Sequence, residues 1–350
     1  MLDHLSILVL ALIFIAGAGV VWAAGVWLSD TTDIISSRFH LGQALGGIIL
    51  LAIGTNLPEL AITVSAALRH NLGIAIGNLL GGIAIQTVVL VALDAVGKGK
   101  RPLTYRAASL TLVLEAALVT MVLTLSILGT RLPARLVFWR MTPQNLMIMI
   151  SWLAGIWILN VAPNFMSWTV KEQDAAAKPS GHSQSTKDKI AGSTGVVLSK
   201  FAIACLATLG AGIALEESGD ALAGHLGMSG VLFGATVLAA STSIPELATG
   251  ITSIRMGDDQ LAISDIFGGN AFLPVLFLLA SLLSGEAVLP HAQNTDVYLA
   301  ALGIALTVIY IFGLILRPTR RYARLGIDSW LVLLTYLVGI AGLIFVKNGH

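Results

Sequence analysis

Charge and cysteine are what this chain of 350 residues has least of. Only 11% of its residues are Asp, Glu, Lys or Arg, less than half the share of an ordinary soluble domain. That leaves too little polar surface to solvate one or two soluble cores, so soluble enzymes, secreted modules and disordered regulators are excluded. The charges nearly cancel, 20 Lys and Arg against 19 Asp and Glu. They supply no concentrated basic face, which argues against nucleic acid as a partner. A single cysteine, Cys205, rules out an intramolecular disulfide framework and a cysteine-based zinc site; in its apolar run it reads as a small buried hydrophobe. No HExxH helix occurs, so intramembrane metalloprotease chemistry is disfavoured. Neither a nucleophile–base set nor a cofactor motif is found, and the chain is expected to be no enzyme and to need no cofactor.

Apolar residues fill the space instead, at 56% of the chain. A helix crossing the hydrocarbon layer needs roughly 20 mostly apolar residues, and such windows recur along nearly the whole sequence. Ten spans are expected, near 5–28, 43–68, 72–96, 107–130, 144–165, 199–216, 228–254, 261–284, 296–316 and 328–346. The first follows Asp3 and His4 rather than a basic region and reads as a retained span, not a signal peptide. The stretch 170–198, with KEQDAAAKPSGHSQSTKDK, has too few apolar residues to fold and reads as a linker. It separates five spans in 1–169 from five in 199–350.

Lys and Arg concentrate in cytoplasmic loops of membrane proteins. With the amino terminus outside, 15 of the 20 bases fall on the cytoplasmic side, among them Lys98, Lys100, Arg101, Arg106, Arg317, Arg320, Arg321 and Arg324. The opposite side keeps Arg69, Arg131, Arg135, Arg140 and Lys347. The expectation is a multi-pass protein of the plasma (inner) membrane, in contact with the lipid bilayer, with the linker cytoplasmic and both termini on the other side.

The sequence also repeats itself. Residues near 25–82 match residues near 212–269 at a constant offset of 187, without gaps. Gly25 meets Gly212, Asp33 meets Asp220, Gly47 meets Gly234, the run Pro58 to Ala61 meets Pro245 to Ala248, and Gly81 and Gly82 meet Gly268 and Gly269. Five spans is an odd number, so the second copy must enter the membrane from the opposite side. Inverted repeats of this kind are the architecture of secondary transporters, whose sites lie near the midplane where interrupted helices meet.

Chemistry sits in the matched segments. Span 2 is interrupted by GTNLPEL, Gly54 to Leu60, and span 7 by STSIPEL, Ser241 to Leu247. Each places a carboxylate mid-span, at about 2.5–3.5 kcal/mol or more, so such acids usually face a polar pathway or a partner. Pro58 and Pro245 lack the amide proton that would close the preceding turn, leaving carbonyl oxygens free. Helical spacing brings Thr55 and Thr63 beside Glu59, and Thr242 and Thr249 beside Glu246. This all-oxygen inventory suits hard cations such as Na⁺, Ca²⁺ or Mg²⁺. Spans 3 and 8 begin GNLLGG and SDIFGG, whose glycines serve close packing or present carbonyls, with both readings open. Asn78 and Asp265 occupy matching positions one turn before the double glycine, and Asp265 is a third acid. Glu115, in span 4, has Leu302 as its counterpart; it is a proton-relay acid or an acid held neutral by burial. Asp94, Asp30, Asp33, Glu216, Glu217 and Asp220 read as interfacial residues or mouth acids.

On GTNLPEL and STSIPEL, the glycine segments after them and the lead-ins GVWLSDTTDIISSRFHLG and GIALEESGDALAGHLG, the chain resembles the calcium/cation antiporter superfamily, which includes sodium/calcium exchangers. The resemblance implies an all-α membrane protein of about ten transmembrane helices in two inverted five-helix repeats, exchanging cations by alternating access. It implies Glu59 and Glu246 as central ligands, with oxygens from Thr55, Thr242, Asn56 and Ser243. The family pattern continues GSNxxN or GSNxxD, where this chain has GGIAIQ and GGNAFL. Gly82 and Gly269 stand for serines, Ile83 and Gln86 for asparagines, and Leu273 for Asn or Asp. These departures fall on the sodium positions more than on the central site.

The function expected is a secondary active antiporter exchanging Ca²⁺ or another cation for Na⁺ or H⁺ at a midplane carboxylate site formed by Glu59, Glu246, Thr55, Thr242, Asn56, Ser243, Asn78 and Asp265. The alternatives are a non-transporting scaffold or sensor that kept the fold while its ion sites decayed, and a passive channel.

Overall fold

The computed structural model describes residue 2, residues 4–39, 52–165, 193–227 and 233–348, apart from 98, 134 and 137. The amino-terminal parts of expected spans 2 and 7, Gly47 and most of the linker lie outside the described residues. Helices dominate, because each apolar segment must satisfy its backbone donors and acceptors internally. The first repeat holds α1 (Ile7–Arg38), a one-turn α2 (Ala52–Thr55), α3 (Leu57–Leu68), α4 (Leu72–Val96), a short α5 (Leu103–Arg106), α6 (Leu110–Gly129) and α7 (Pro143–Phe165). The second holds α8 (Thr194–His225), a π turn at Gly234–Leu238, α9 (Ala239–Thr242), α10 (Ile244–Met256), α11 (Asp259–Phe272), a 3₁₀ turn at Leu273–Val275, α12 (Leu276–Ser284) and α13 (Asn294–Leu316). A two-residue hairpin, β1 (Arg321–Tyr322) antiparallel to β2 (Leu325–Gly326), leads into α14 (Ile327–Asn348).

The offset of 187 reappears in the element boundaries. Ser6 and Ser193 cap the starts of α1 and α8, which end at Arg38 and His225. The one-turn pieces Ala52–Thr55 and Ala239–Thr242 correspond residue for residue, as do the starts of α3 and α10 and of α4 and α11. The chain is an all-α membrane protein built as two inverted repeats of five spans. Among the described residues, seven helical stretches are long and apolar enough to cross a membrane. The broken spans 2 and 7 and the shorter α14 complete the ten.

Two helices outrun their expected spans. The apolar windows end near residues 28 and 216, whereas α1 and α8 continue to Arg38 and His225, and α8 begins at Thr194, inside the stretch read as linker. Polar residues such as Asp30 and Glu217 end the hydrocarbon-compatible length without ending the helix, since no proline interrupts either run. Glu216, read as interfacial, is in fact buried: it accepts from the Ser65 hydroxyl at 3.0 Å and lies 3.8 Å from the Arg69 guanidinium.

α1 and α8 pack along one another, and each also leans on the broken helix of the other repeat. A Cβ at Gly25 would stand 2.9 Å from Cα of Pro245, and one at Gly212 would stand 2.9 Å from Cα of Pro58. Only glycine permits that approach. The inner layer is α4 and α11–α12, with 72% and 83% of their most apolar windows buried, against 28% for α1 and α8. Leu79, Ile83, Phe267, Phe277 and Leu123 close the core around them. Cys205 is only half-buried, packed beside Leu28 and Ala204.

Asp94 departs most from expectation. The end of α4 lies under the hairpin, so this acid, read as interfacial, is enclosed by protein. Its carboxylate accepts from the Leu103 amide at 2.8 Å, the Gly326 amide at 2.7 Å and the Ser329 hydroxyl at 2.9 Å, with Arg321 at 3.7 Å. It staples the turn after α4 to the turn before α14.

Candidate functional site

Both broken helices turn at the residue before their Leu–Pro or Ile–Pro pair. Asn56 (φ −87°, ψ 16°) and Ser243 (φ −82°, ψ 3°) link the one-turn pieces to α3 and α10. Proline then occupies the first turn of each following helix, where its missing amide proton costs nothing. Glu59 and Glu246 follow within that turn, where a helix N-terminus favours negative charge. The Asn56 amide nitrogen donates to the Ala52 carbonyl at 2.7 Å, and the Ser243 hydroxyl donates to the Ala239 carbonyl at 2.7 Å. Neither side chain's donor is therefore free for another ligand.

The centre is held by a residue that appeared in the sequence only as a departure. Gln86, on α4, directs its amide nitrogen to Oε1 of Glu59 at 3.2 Å, Oε1 of Glu246 at 3.3 Å and Oδ1 of Asn56 at 3.1 Å. All four side chains are buried. Two carboxylates from opposite repeats thus share one N–H donor group, while Oε2 of Glu59, Oε2 of Glu246 and Oε1 of Gln86 have no partner. Buried carboxylate oxygens left unpaired are costly, which makes the pair receptive to a cation. The Thr242 hydroxyl donates to the Ala239 carbonyl at 3.2 Å, and the Thr55 hydroxyl lies between the Ala52 carbonyl at 3.2 Å and Asp265. Helical spacing held the signal for Gln86: Asn78, Gly82 and Gln86 follow at intervals of four on one face of α4.

Asp265 is joined to both halves. Its Oδ1 accepts from Thr55 at 3.3 Å and its Oδ2 from Thr249 at 2.5 Å. Thr249 lies beside Glu246 as expected, within 3.1 Å of its backbone carbonyl, but the carboxylate its hydroxyl meets is that of Asp265. Asn78 is fully buried with both amide atoms unpartnered, and the Thr63 hydroxyl is likewise unpartnered. A Cβ at Gly269 would come within 2.5 Å of the Asn56 amide nitrogen, so the missing serine makes room for Asn56. Among the described residues no three His, Cys, Asp or Glu side chains converge as a preformed metal cluster. What the fold presents is a carboxylate pair bridged by an amide, with a third acid attached through Thr55. Glu115 is apart from this group, bonded to Ser264 at 3.1 Å.

Fold and site define a polytopic transporter with a buried polar centre between inverted halves. The chain belongs to the sodium/calcium exchanger protein family, which matches residues 9–168 and 196–345. It is 26% identical over 319 residues to inner membrane protein YrbG of Escherichia coli (strain K12), covering 87% of this chain and 90% of that one. Its fold matches the sodium-calcium exchanger NCX_Mj with a TM-score of 0.64 at 17% identity, over 97% of this chain and 100% of the other. It matches the H⁺/Ca²⁺ exchanger CAX with a TM-score of 0.67 at 14% identity, over 99% and 89%. The family is one of secondary transporters that move inorganic cations, not of enzymes.

Proposed function

We propose that the chain is a secondary active antiporter that exchanges Ca²⁺ or another cation for Na⁺ or H⁺ by alternating access at the Glu59–Glu246 pair. The observation that carries this reading is the shared Gln86 bridge: acids from opposite repeats meet at one point, each with one oxygen unpaired. A cation arriving between them replaces the amide N–H as the positive bridge, and Gln86 turns its amide to offer Oε1. Thr55, Thr242 and Asp265 lie close enough to complete an oxygen shell, and Asn78, with both amide atoms free, is a further donor of oxygen. Asn56 and Ser243 shape the two breaks. The carrier changes sides only when its carboxylates are neutralised, by a metal ion or by protons, and that condition makes the transport an exchange. The excess of bases on one side orients the chain, with the turns after α4 and before α14 in the cytoplasm, in the plasma (inner) membrane.

Flux of Ca²⁺, Na⁺, K⁺ and H⁺ in proteoliposomes, with Glu59→Gln and Glu246→Gln beside the parent, tests the reading. Exchange is expected in the parent and lost in both variants; undiminished exchange in both would sink the site assignment. A second reading, a scaffold with decayed ion sites, draws on Leu273 and Ile83, which put buried hydrocarbon where the family pattern has polar side chains. It predicts no saturable cation binding to the purified protein.

A further inference from the structure

Glu115 has no part in the bridge between Glu59 and Glu246, yet it is a buried acid within a membrane span. It lies on α6, about 8 Å along the axis from the helix start at 1.5 Å per residue, and is 3% exposed. Its Oε1 accepts from the Ser264 hydroxyl and its Oε2 has no partner. The fold does not require this acid, because the inverted repeat supplies a control. At the offset of 187 Glu115 becomes Leu302 and Ser264 becomes Gly77, and the corresponding helices, α4 and α13, pack together just as α6 and α11 do. Acid and hydroxyl donor are present together at one of the two equivalent contacts between the halves and absent together from the other. The next residue along, Asp265, belongs to the central site, and its counterpart Asn78 does not ionise. At this contact two acids, Glu115 and Asp265, stand where the equivalent contact has Leu302 and Asn78.

Among the described residues, Glu115 makes no ion pair, and its hydrogen-bond partner is Ser264. α7 carries no ionisable side chain. On α13, Tyr310 is set among Asp94, Asp328 and Ser329, while Asp296 and Tyr298 lie in its first turns at the far end. On α11, Asp259 is paired with Arg106 at 3.0 Å, and Asp265 is occupied by Thr55 and Thr249. A carboxylate with one hydroxyl donor and no cation, withdrawn from water, is far costlier than the neutral acid. A glutamine would accept from Ser264 equally well without ionising, so the acid adds only the capacity to bind and release a proton.

We propose that Glu115, with Ser264 as its hydrogen-bond partner, is a proton-binding site separate from the cation pair, loaded from the face where Arg106 and Asp259 meet and linked through α11 to Asp265. The linkage rests on the cation-site reading above. Binding is reciprocal: a cation held near Asp265 lowers the proton affinity of Glu115, and the proton lowers the affinity for the cation.

Infrared difference spectroscopy of the full chain in lipid, parent against Glu115→Gln, reads the carbonyl stretch of a protonated carboxylic acid without any need for transport. The parent is expected to show such a band, shifted in D₂O, absent from Glu115→Gln and retained in Glu115→Asp. Saturating Ca²⁺, with binding measured on the same sample, is expected to lower the proton affinity read from that band at least tenfold. Should Glu115→Gln fail to fold, Ser264→Ala serves in its place and moves the titration of the band without removing it. A parent spectrum with no protonated-acid band assignable to Glu115 overturns the proposal. So does a band whose titration is indifferent to Ca²⁺ in a sample that binds it. If neither Ca²⁺ nor Na⁺ binds, the cation-site reading fails, and the proton site then stands or falls on the band and its titration alone.

Discussion

The half of the site built from α2, α3 and α4 and the half built from α9, α10 and α11 share a backbone, and their side chains diverge residue by residue. Each has a one-turn helix, a break, a proline and a glutamate in the same places. Around that frame Asn78 faces a matched Asp265, Ile62 a matched Thr249, Gln86 a matched Leu273, and Leu302 a matched Glu115. The first half supplies the bridging amide of Gln86 and the separate acid Glu115, and the second supplies Asp265. The two copies thus agree in what bends the chain and differ in the polar side chains around the break: a break is needed in each copy, whereas a polar group shared at the centre is needed only once.

That comparison breaks down first at the glutamates, if it breaks at all. Glu59→Gln and Glu246→Gln each remove one of the two formal charges and are expected to lower exchange by at least about 100-fold, equally for the two. A large inequality in proteoliposome flux would show that one half dominates. Next in size is the pair Asp94 and Ser281, which occupy equivalent positions at opposite ends of the inner layer. Asp94→Ala strands two amides, a hydroxyl and Arg321, and is expected to cost ~3 kcal/mol. Ser281→Ala loses its bonds with Asn145 and the Val288 amide and is expected to cost ~1 kcal/mol. Denaturation in detergent, followed by intrinsic fluorescence, orders the two; equal losses would contradict the Asp94 staple.

Smaller effects separate the two polar flanks. Asp265→Asn keeps an acceptor for one of Thr55 and Thr249 but removes a charge, and is expected to weaken divalent-cation binding, read by isothermal titration calorimetry, about tenfold. Asn78→Asp, tested by the same calorimetric titration, should strengthen it, and together the two substitutions should return the affinity toward that of the parent. Least of all, Thr249→Val removes the donor to Asp265 at a cost of ~1 kcal/mol, while Thr63→Val discards an unpartnered hydroxyl and is close to neutral. A thermal shift that reversed this order would place Thr63 at a ligand and Thr249 outside the site.

Glu59 and Glu246 were legible in the sequence because charges are scarce in the spans and because proline follows the same rhythm in both copies. Asp265 was legible as a third acid, although its attachment through Thr55 and Thr249 depends on how α10 and α11 rotate against each other, which no spacing along one helix reveals. In the sequence Gln86 stands out only as an exception to the family pattern. Its role needs three acceptors brought from two other helices, information that is tertiary. The cover over Asp94 is tertiary for the same reason: hydropathy places the residue at a membrane edge, and the hairpin at Arg321–Gly326 then encloses it. The ends of α1 and α8 escaped notice because hydropathy measures membrane depth, not helix length.

The two glycine contacts, Gly25 on Pro245 and Gly212 on Pro58, have a consequence for ancestry and assembly. Each half props up the other's broken helix and leaves its own to be propped, so a single half would expose a proline-kinked helix, with its glutamate, to lipid. A half could have existed alone only as one member of an antiparallel dimer whose two copies inserted in opposite orientations. One chain carrying both halves supplies that opposite orientation by itself, so the matched positions Asn78/Asp265 and Leu302/Glu115 can hold different residues.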